Sequence, residues 1–152
     1  MSKEFFEHVL DALIGFLPVE RGDFSWRASS RNLKVWFGDD SREHYEVQQV
    51  GGALELGFHA EYPDPARNDA VLERLLDGET AWRRRLGAEA ESGKYVGRQA
   101  SVWRRVSEVW KGDALSAPET AVEAADRLAA YIAAIEPVRS APRDPAGRRG
   151  RR

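Results

Sequence analysis

The chain has 152 residues, no cysteine and a net charge of −2. That length suits one domain burying roughly two thirds of its unfolded surface, and the absence of thiols excludes disulfides, thiolate metal sites and a cysteine nucleophile. Charge is uneven: residues 137–152 hold six Arg against one Asp and so carry +5, leaving −7 on the remainder. The acidic body argues against a nucleic-acid binder. Nothing approaches the ~20 apolar residues of a membrane span. A soluble protein is expected, with the cytoplasm as its location.

In chain order, Phe6, Val9, Leu10, Leu13 and Leu17 share one stripe over residues 3–17, with Ser2 at the N-cap position and Pro18 beyond the end. This spacing predicts a core-facing helix. Glu7, His8 and Asp11 interrupt the run, so it lacks the unbroken apolar segment of a signal peptide. Residues 18–31 are polar and turn-rich and read as a loop, pinned by Phe24 and Trp26. Residues 32–38 alternate Leu33, Val35 and Phe37 against Lys34 and Trp36, the period of a strand, and the Gly38–Arg42 stretch is a turn.

Residues 43–61 hold two alternating runs that meet at Gly51-Gly52, the signature of a β-hairpin. With the glycines as the loop, Tyr45 lies opposite Phe58, Val47 opposite Leu56 and Gln49 opposite Leu54, forming a core face. The reverse face then carries Arg42 opposite Glu61, His44 opposite His59, Glu46 opposite Gly57 and Gln48 opposite Glu55. A five-residue turn before the hairpin brings Leu33 and Val35 beside Val47 and Tyr45, because a one-residue slip would expose them all. It also sets Lys34 beside Glu46 and Trp36 beside His44.

Asp64-Pro65 opens a second helix with Val71, Leu72, Leu75 and Leu76 on its stripe, and Gly78 ends or kinks it before a further turn holding Trp82 and Arg83–Arg85. Residues 101–111 match helix and strand spacing almost equally, and their Val and Trp content favours a strand. Ser116 and Glu119 have the spacing of a capping box for a last helix, whose stripe of Val122, Ala125, Leu128, Ala129, Ile132 and Ile135 runs to Pro137. One domain over 1–136 is expected, with 137–152 a disordered Arg/Pro/Gly tail.

The fold class is therefore α+β, an antiparallel β-meander flanked by helices in the order α-β-β-β-α-β-(β)-α. This order resembles the type III secretion chaperone-like fold, including the YbjN-type bacterial proteins. The resemblance spans residues 3–135, rests on topology without a diagnostic motif, and implies a small, often dimeric protein that binds partners rather than catalyses. The opening order is also similar to the PD-(D/E)xK nuclease core. There the third strand should offer Glu-x-Lys, and this chain has Glu55-Leu56-Gly57, with Lys34 as the nearest substitute.

Among the chemical motifs, Gly87–Lys94 departs from a phosphate loop in spacing and in the Tyr95 that follows, and no dinucleotide or hydrolase signature occurs. No cofactor is expected. Arg83–Arg85 with Arg104 and Arg105 lie among glutamates and read as a mixed, solvated surface. His44, His59, Glu46 and Glu55, with Glu61 nearby, are suitable donors for a metal such as zinc, a reading outweighed by that of a solvated sheet face. Trp36 on the polar face of its strand marks a contact surface or the cover of another element. The expected function is a non-enzymatic interaction module, chaperone-like or an adaptor, using Trp36, Lys34, His44, Gln48 and Glu55 to bind a partner protein or a second copy of itself as a homodimer. The alternative is a metal-dependent hydrolase or nuclease using carboxylates of the same sheet face.

Overall fold

The structure, a computed structural model, describes residues 2–112, 115 and 117–142. The first helix, α1 (Lys3–Phe16), starts where Ser2 accepts a hydrogen bond from the Phe5 amide, which satisfies one of the donors a helix start leaves open. Its Phe6, Val9, Leu10 and Leu13 are buried. A 3₁₀ turn at Val19–Arg21 leads into β1 (Ser25–Ala28), followed by β2 (Asn32–Trp36), β3 (Glu43–Val50) and β4 (Ala53–Ala60). β1 corrects the expected loop over 18–31. Four residues, three of them exposed, give too short and too polar a run for alternation to register.

The hairpin has the expected register: Tyr45 pairs with Phe58, Val47 with Leu56 and Gln48 with Glu55. Gly51 takes φ +59°, a conformation that costs glycine little and most residues much more. β2 joins in the register that pairs Lys34 with Glu46 and Val35 with Tyr45. Asp64 caps α2 (Pro65–Asp77) through the Ala66 amide, and Gly78 separates it from α3 (Glu79–Leu86). Of the expected stripe on α2, Leu75 is buried, Val71 and Leu72 are partly buried and Leu76 is exposed.

β5 (Glu91–Lys94) and β6 (Arg104–Trp110) complete a six-stranded antiparallel sheet in the order β1-β2-β3-β4-β6-β5. The later strand β6 thus sits inside against β4, and the short, charged β5 takes the edge. Gly57 makes this possible: it adopts φ +146°, and a Cβ there would meet the Ser107 Cα of β6 at 2.5 Å. α4 (Thr120–Arg139) packs beside α1, and its Leu128, Ile132 and Ile135 share one core with Leu33, Val47, Leu56 and Phe58 of the sheet.

α4 departs from expectation at both ends. Its N-cap is Glu119, with no side-chain cap; Ser116 lies outside the described residues. Val122 is 49% exposed rather than on the core stripe, while Ala121, Ala124 and Tyr131 are buried. Pro137 does not end the helix, which continues through Val138 and Arg139. The boundary after 136 is corrected accordingly. Arg139 pairs with Glu136 at 2.7 Å and with Glu43 at 3.2 Å, and Val138 packs against Gly78, where a Cβ would come within 2.9 Å. These contacts offset the backbone bond that proline removes. The rest of the expected tail, 143–152, lies outside the described residues. No helix is long and apolar enough to cross a membrane among the described residues.

Candidate metal centre

Period two sends His44 and Glu46 of β3, and Glu55 and His59 of β4, to the face of the sheet away from α1 and α4. Glu61, one residue past β4, extends the series, since its amide still bonds the Arg42 carbonyl. This face was expected to be solvated. Instead His44, Glu46, Glu55, His59 and Glu61 are all buried, between 0% and 6% exposed. The connector between β5 and β6 covers it: Tyr95 sets its ring 4.9 Å from that of His59, and Trp103 packs 5.1 Å behind Tyr95.

Four donor atoms converge there. Glu46 Oε1 lies 2.9 Å from His44 Nε2 and 3.0 Å from His59 Nδ1, and Glu61 Oε2 lies 3.3 Å and 3.2 Å from the same two nitrogens. A tetrahedral ion with bonds of about 2.0–2.1 Å spaces its ligand atoms about 3.3 Å apart. Of the four nitrogen–oxygen separations two already match and two need to open by a few tenths of an ångström, and all four atoms lie within 4.8 Å of one another. Glu61 Oε2 is buried and makes no well-formed hydrogen bond, its nearest partners being the two imidazole nitrogens at 3.2 and 3.3 Å, so a cation between them would complete its coordination.

The surroundings orient each donor. The Ser41 carbonyl, 2.8 Å from His44 Nδ1, can only accept, so Nδ1 carries the proton and Nε2 faces the centre. Glu55 plays the same part for His59: its carboxylate lies 2.7 Å from Nε2, which leaves Nδ1 to face the centre. Asn32 donates to Glu46 Oε2 at 2.8 Å, and Lys34 Nζ lies 3.5 Å from Glu61 Oε1. Gln48 Nε2 donates to both Glu55 and the Tyr95 hydroxyl, each at 2.8 Å. Outer partners of this kind fix the tautomer and ring orientation of metal-binding histidines.

Without an ion, protons hold the cluster together. Burial alone would lower the pKa of both histidines, but the carboxylates override it: Glu46 and Glu61 raise His44, and Glu55 with Glu46 raises His59 well above its ordinary value. Burial would raise Glu46, yet the two imidazoles bring it down to about 2, and they lower Glu61 further. These shifts favour charged rings facing charged carboxylates, with Lys34 beside Glu61.

The expected candidates divide. His44, His59 and Glu46 are donors, while Glu55 supports His59 from outside and Glu61 takes the fourth donor position. As a contact surface the expected set fails at two positions, because His44 and Glu55 are buried. Lys34, Trp36 and Gln48 are half-buried, and the Arg27 guanidinium lies 5.9 Å from the Trp36 ring. Lys34, the nearest substitute for the nuclease lysine, pairs with Glu61 at 3.5 Å. Sequence reading missed Asn32, the Ser41 carbonyl and Tyr95; of these only Asn32 carries a local signal, its register opposite Gln48 on the histidine face. No family model, curated protein or solved structure matches the chain.

Proposed function

We propose that this chain is a metal-binding interaction module in which His44, Glu46, His59 and Glu61 hold one divalent ion of the zinc class inside the sheet. The observation that carries this reading is the convergence of four buried donor atoms within 4.8 Å of one another, one of them a carboxylate oxygen with no well-formed hydrogen bond. Mixed imidazole and carboxylate donors suit zinc, with iron(II) and manganese as competitors, and suit calcium or magnesium poorly. All four donors come from the protein and none is exposed, which is the pattern of a closed structural site rather than of a catalytic one with a free position. The ion would staple β3 to β4 and replace the protons that otherwise balance the carboxylates. A non-enzymatic role follows, with the surface outside the centre left to bind partners.

The test is stoichiometric. Protein purified without chelator, or stripped and titrated with zinc or cobalt, should take up one ion per chain. The cobalt form should show the intense visible absorption of a four-coordinate centre. Binding that fails to saturate at one ion, or the pale spectrum of a hydrated six-coordinate ion, would refute the reading.

A further inference from the structure

The sheet has two free edges, and they differ. At one, β5 presents Glu91 and Lys94 around Gly93, and Glu91 is paired with Arg105 at 2.8 Å. A short, charged strand of that kind is protected against pairing with another chain. At the other, β1 reads Ser-Trp-Arg-Ala, with Trp26 52% exposed and no proline, lysine or acidic residue within the strand. Ahead of it in the chain, Phe16 at the end of α1 is 43% exposed and Val19 in the 3₁₀ turn is 97% exposed. No strand pairs with the outer side of β1 among the described residues.

Register assigns the faces. Trp26 pairs with Val35 and so belongs to the helix-packed face, while Arg27 pairs with Lys34 and belongs to the histidine face. The ring of Phe24, one residue before the strand, lies 6.0 Å from that of Phe37, which continues the same pairing by one step. Continuing the alternation past the strand end would put Phe24 on the face of Trp26 and the exposed Asp23 on that of Arg27.

We propose that a second copy of this chain docks on the free edge of β1, strand to antiparallel strand, about a two-fold axis through Ser25. Directly opposed residues of antiparallel strands share a face. With the axis on Ser25, Asp23 opposes Arg27 of the second copy and Phe24 opposes its Trp26, and the symmetry repeats both pairs. The edge is thus complementary to itself in charge and in aromatic character. Moving the axis to Arg27 would set guanidinium against guanidinium, and moving it to Trp26 would leave Arg27 facing serine. Of these three registers, the one on Ser25 alone sets unlike charges opposite each other and aromatic opposite aromatic. Isologous contacts of this form are the commonest in homo-oligomers. The proposal is independent of the metal centre.

The test is sedimentation velocity over a concentration series reaching several hundred micromolar, because an interface built on one short edge lies at the small end of specific contacts. The full chain should pass from its 17.1 kDa monomer to a dimer. Trp26→Lys should weaken association at least tenfold, as expected of a central aromatic anchor. Asp23→Arg and Arg27→Asp should each weaken it, and the double swap, which exchanges the two charges across the axis, should restore it. Both charged positions are exposed, so the swapped chains should keep the parent's unfolding midpoint. A monomer at every concentration, a dimer indifferent to Trp26→Lys, or single swaps that the double swap does not rescue would each overturn the proposal.

Discussion

Zinc should raise the thermal stability of this protein by an amount set by its affinity, and loss of a ring nitrogen should abolish the effect. A ligand that binds only the folded state adds RT ln(1 + [L]/Kd), about 2.7 kcal/mol at one hundred times Kd. In a domain of this size that is a midpoint shift of roughly 5–10 °C. His59→Ala removes a donor from a site where the ring nitrogen lies 3.0 Å and 3.2 Å from two carboxylate oxygens. It also strips Glu55 and Glu46 of a buried partner, so the variant itself should lose about 3–5 kcal/mol. Glu55→Gln is the gentler probe: it keeps an acceptor for His59 Nε2 but weakens the orienting charge, and should reduce zinc affinity roughly 10–100-fold. The assay is thermal unfolding followed by circular dichroism in chelator and across a zinc series. A parent whose midpoint ignores zinc, or a His59→Ala chain stabilised as much as the parent, would refute the assignment.

Proton linkage gives a second check. Because the folded-state pKa of His44 and His59 is raised above 6.5, their contribution to metal-free stability is complete below that value and fades as pH rises through the raised values. Glu46 is depressed from 4.5 to about 2, so its contribution is present above 4.5 and lost as pH falls toward 2. Zinc must displace the imidazole protons, so its stabilisation should grow between pH 6 and 8, and calorimetry in buffers of different ionisation enthalpy should record proton release; a pH-independent effect would argue against imidazole ligands. In the core, Leu56→Ala should cost roughly 2–5 kcal/mol in urea denaturation. Gln48→Ala, which removes a half-buried donor to the Glu55 carboxylate, should cost about 1.5 kcal/mol, and equal costs would contradict the assigned faces. Ending the chain at Glu136 rather than at Pro142 removes Arg139 from its pairs with Glu136 and Glu43 and should lower stability by about 3 kcal/mol, whereas identical midpoints would show that the last turn of α4 is dispensable.

The hairpin could be read from the chain because everything that sets it is local. Two glycines supply the turn, alternation supplies the faces, and a one-residue slip would expose Tyr45, Val47, Leu56 and Phe58 together. α1 and α2 were legible for a similar reason, since Ser2 and Asp64 cap the first turns of their own stripes. The same register arithmetic brought His44 opposite His59, so most of the donor set was on one face before any contact was known.

What covers that face was decided in three dimensions. Tyr95 and Trp103 lie 36 and 44 positions beyond His59, in a stretch with no period of its own, and only the placement of β6 between β4 and β5 carries them over the histidines. That cover changes the chemistry, because the same carboxylates and imidazoles that would be ordinary polar side chains in water must pair or hold an ion once buried. β1 and the end of α4 were hidden for the corresponding reason. A four-residue exposed strand has too little pattern to detect, and a proline inside a helix is tolerated here because Arg139 and Val138 find partners far away in sequence. Local spacing determined which residues share a face; long-range packing determined which faces are dry.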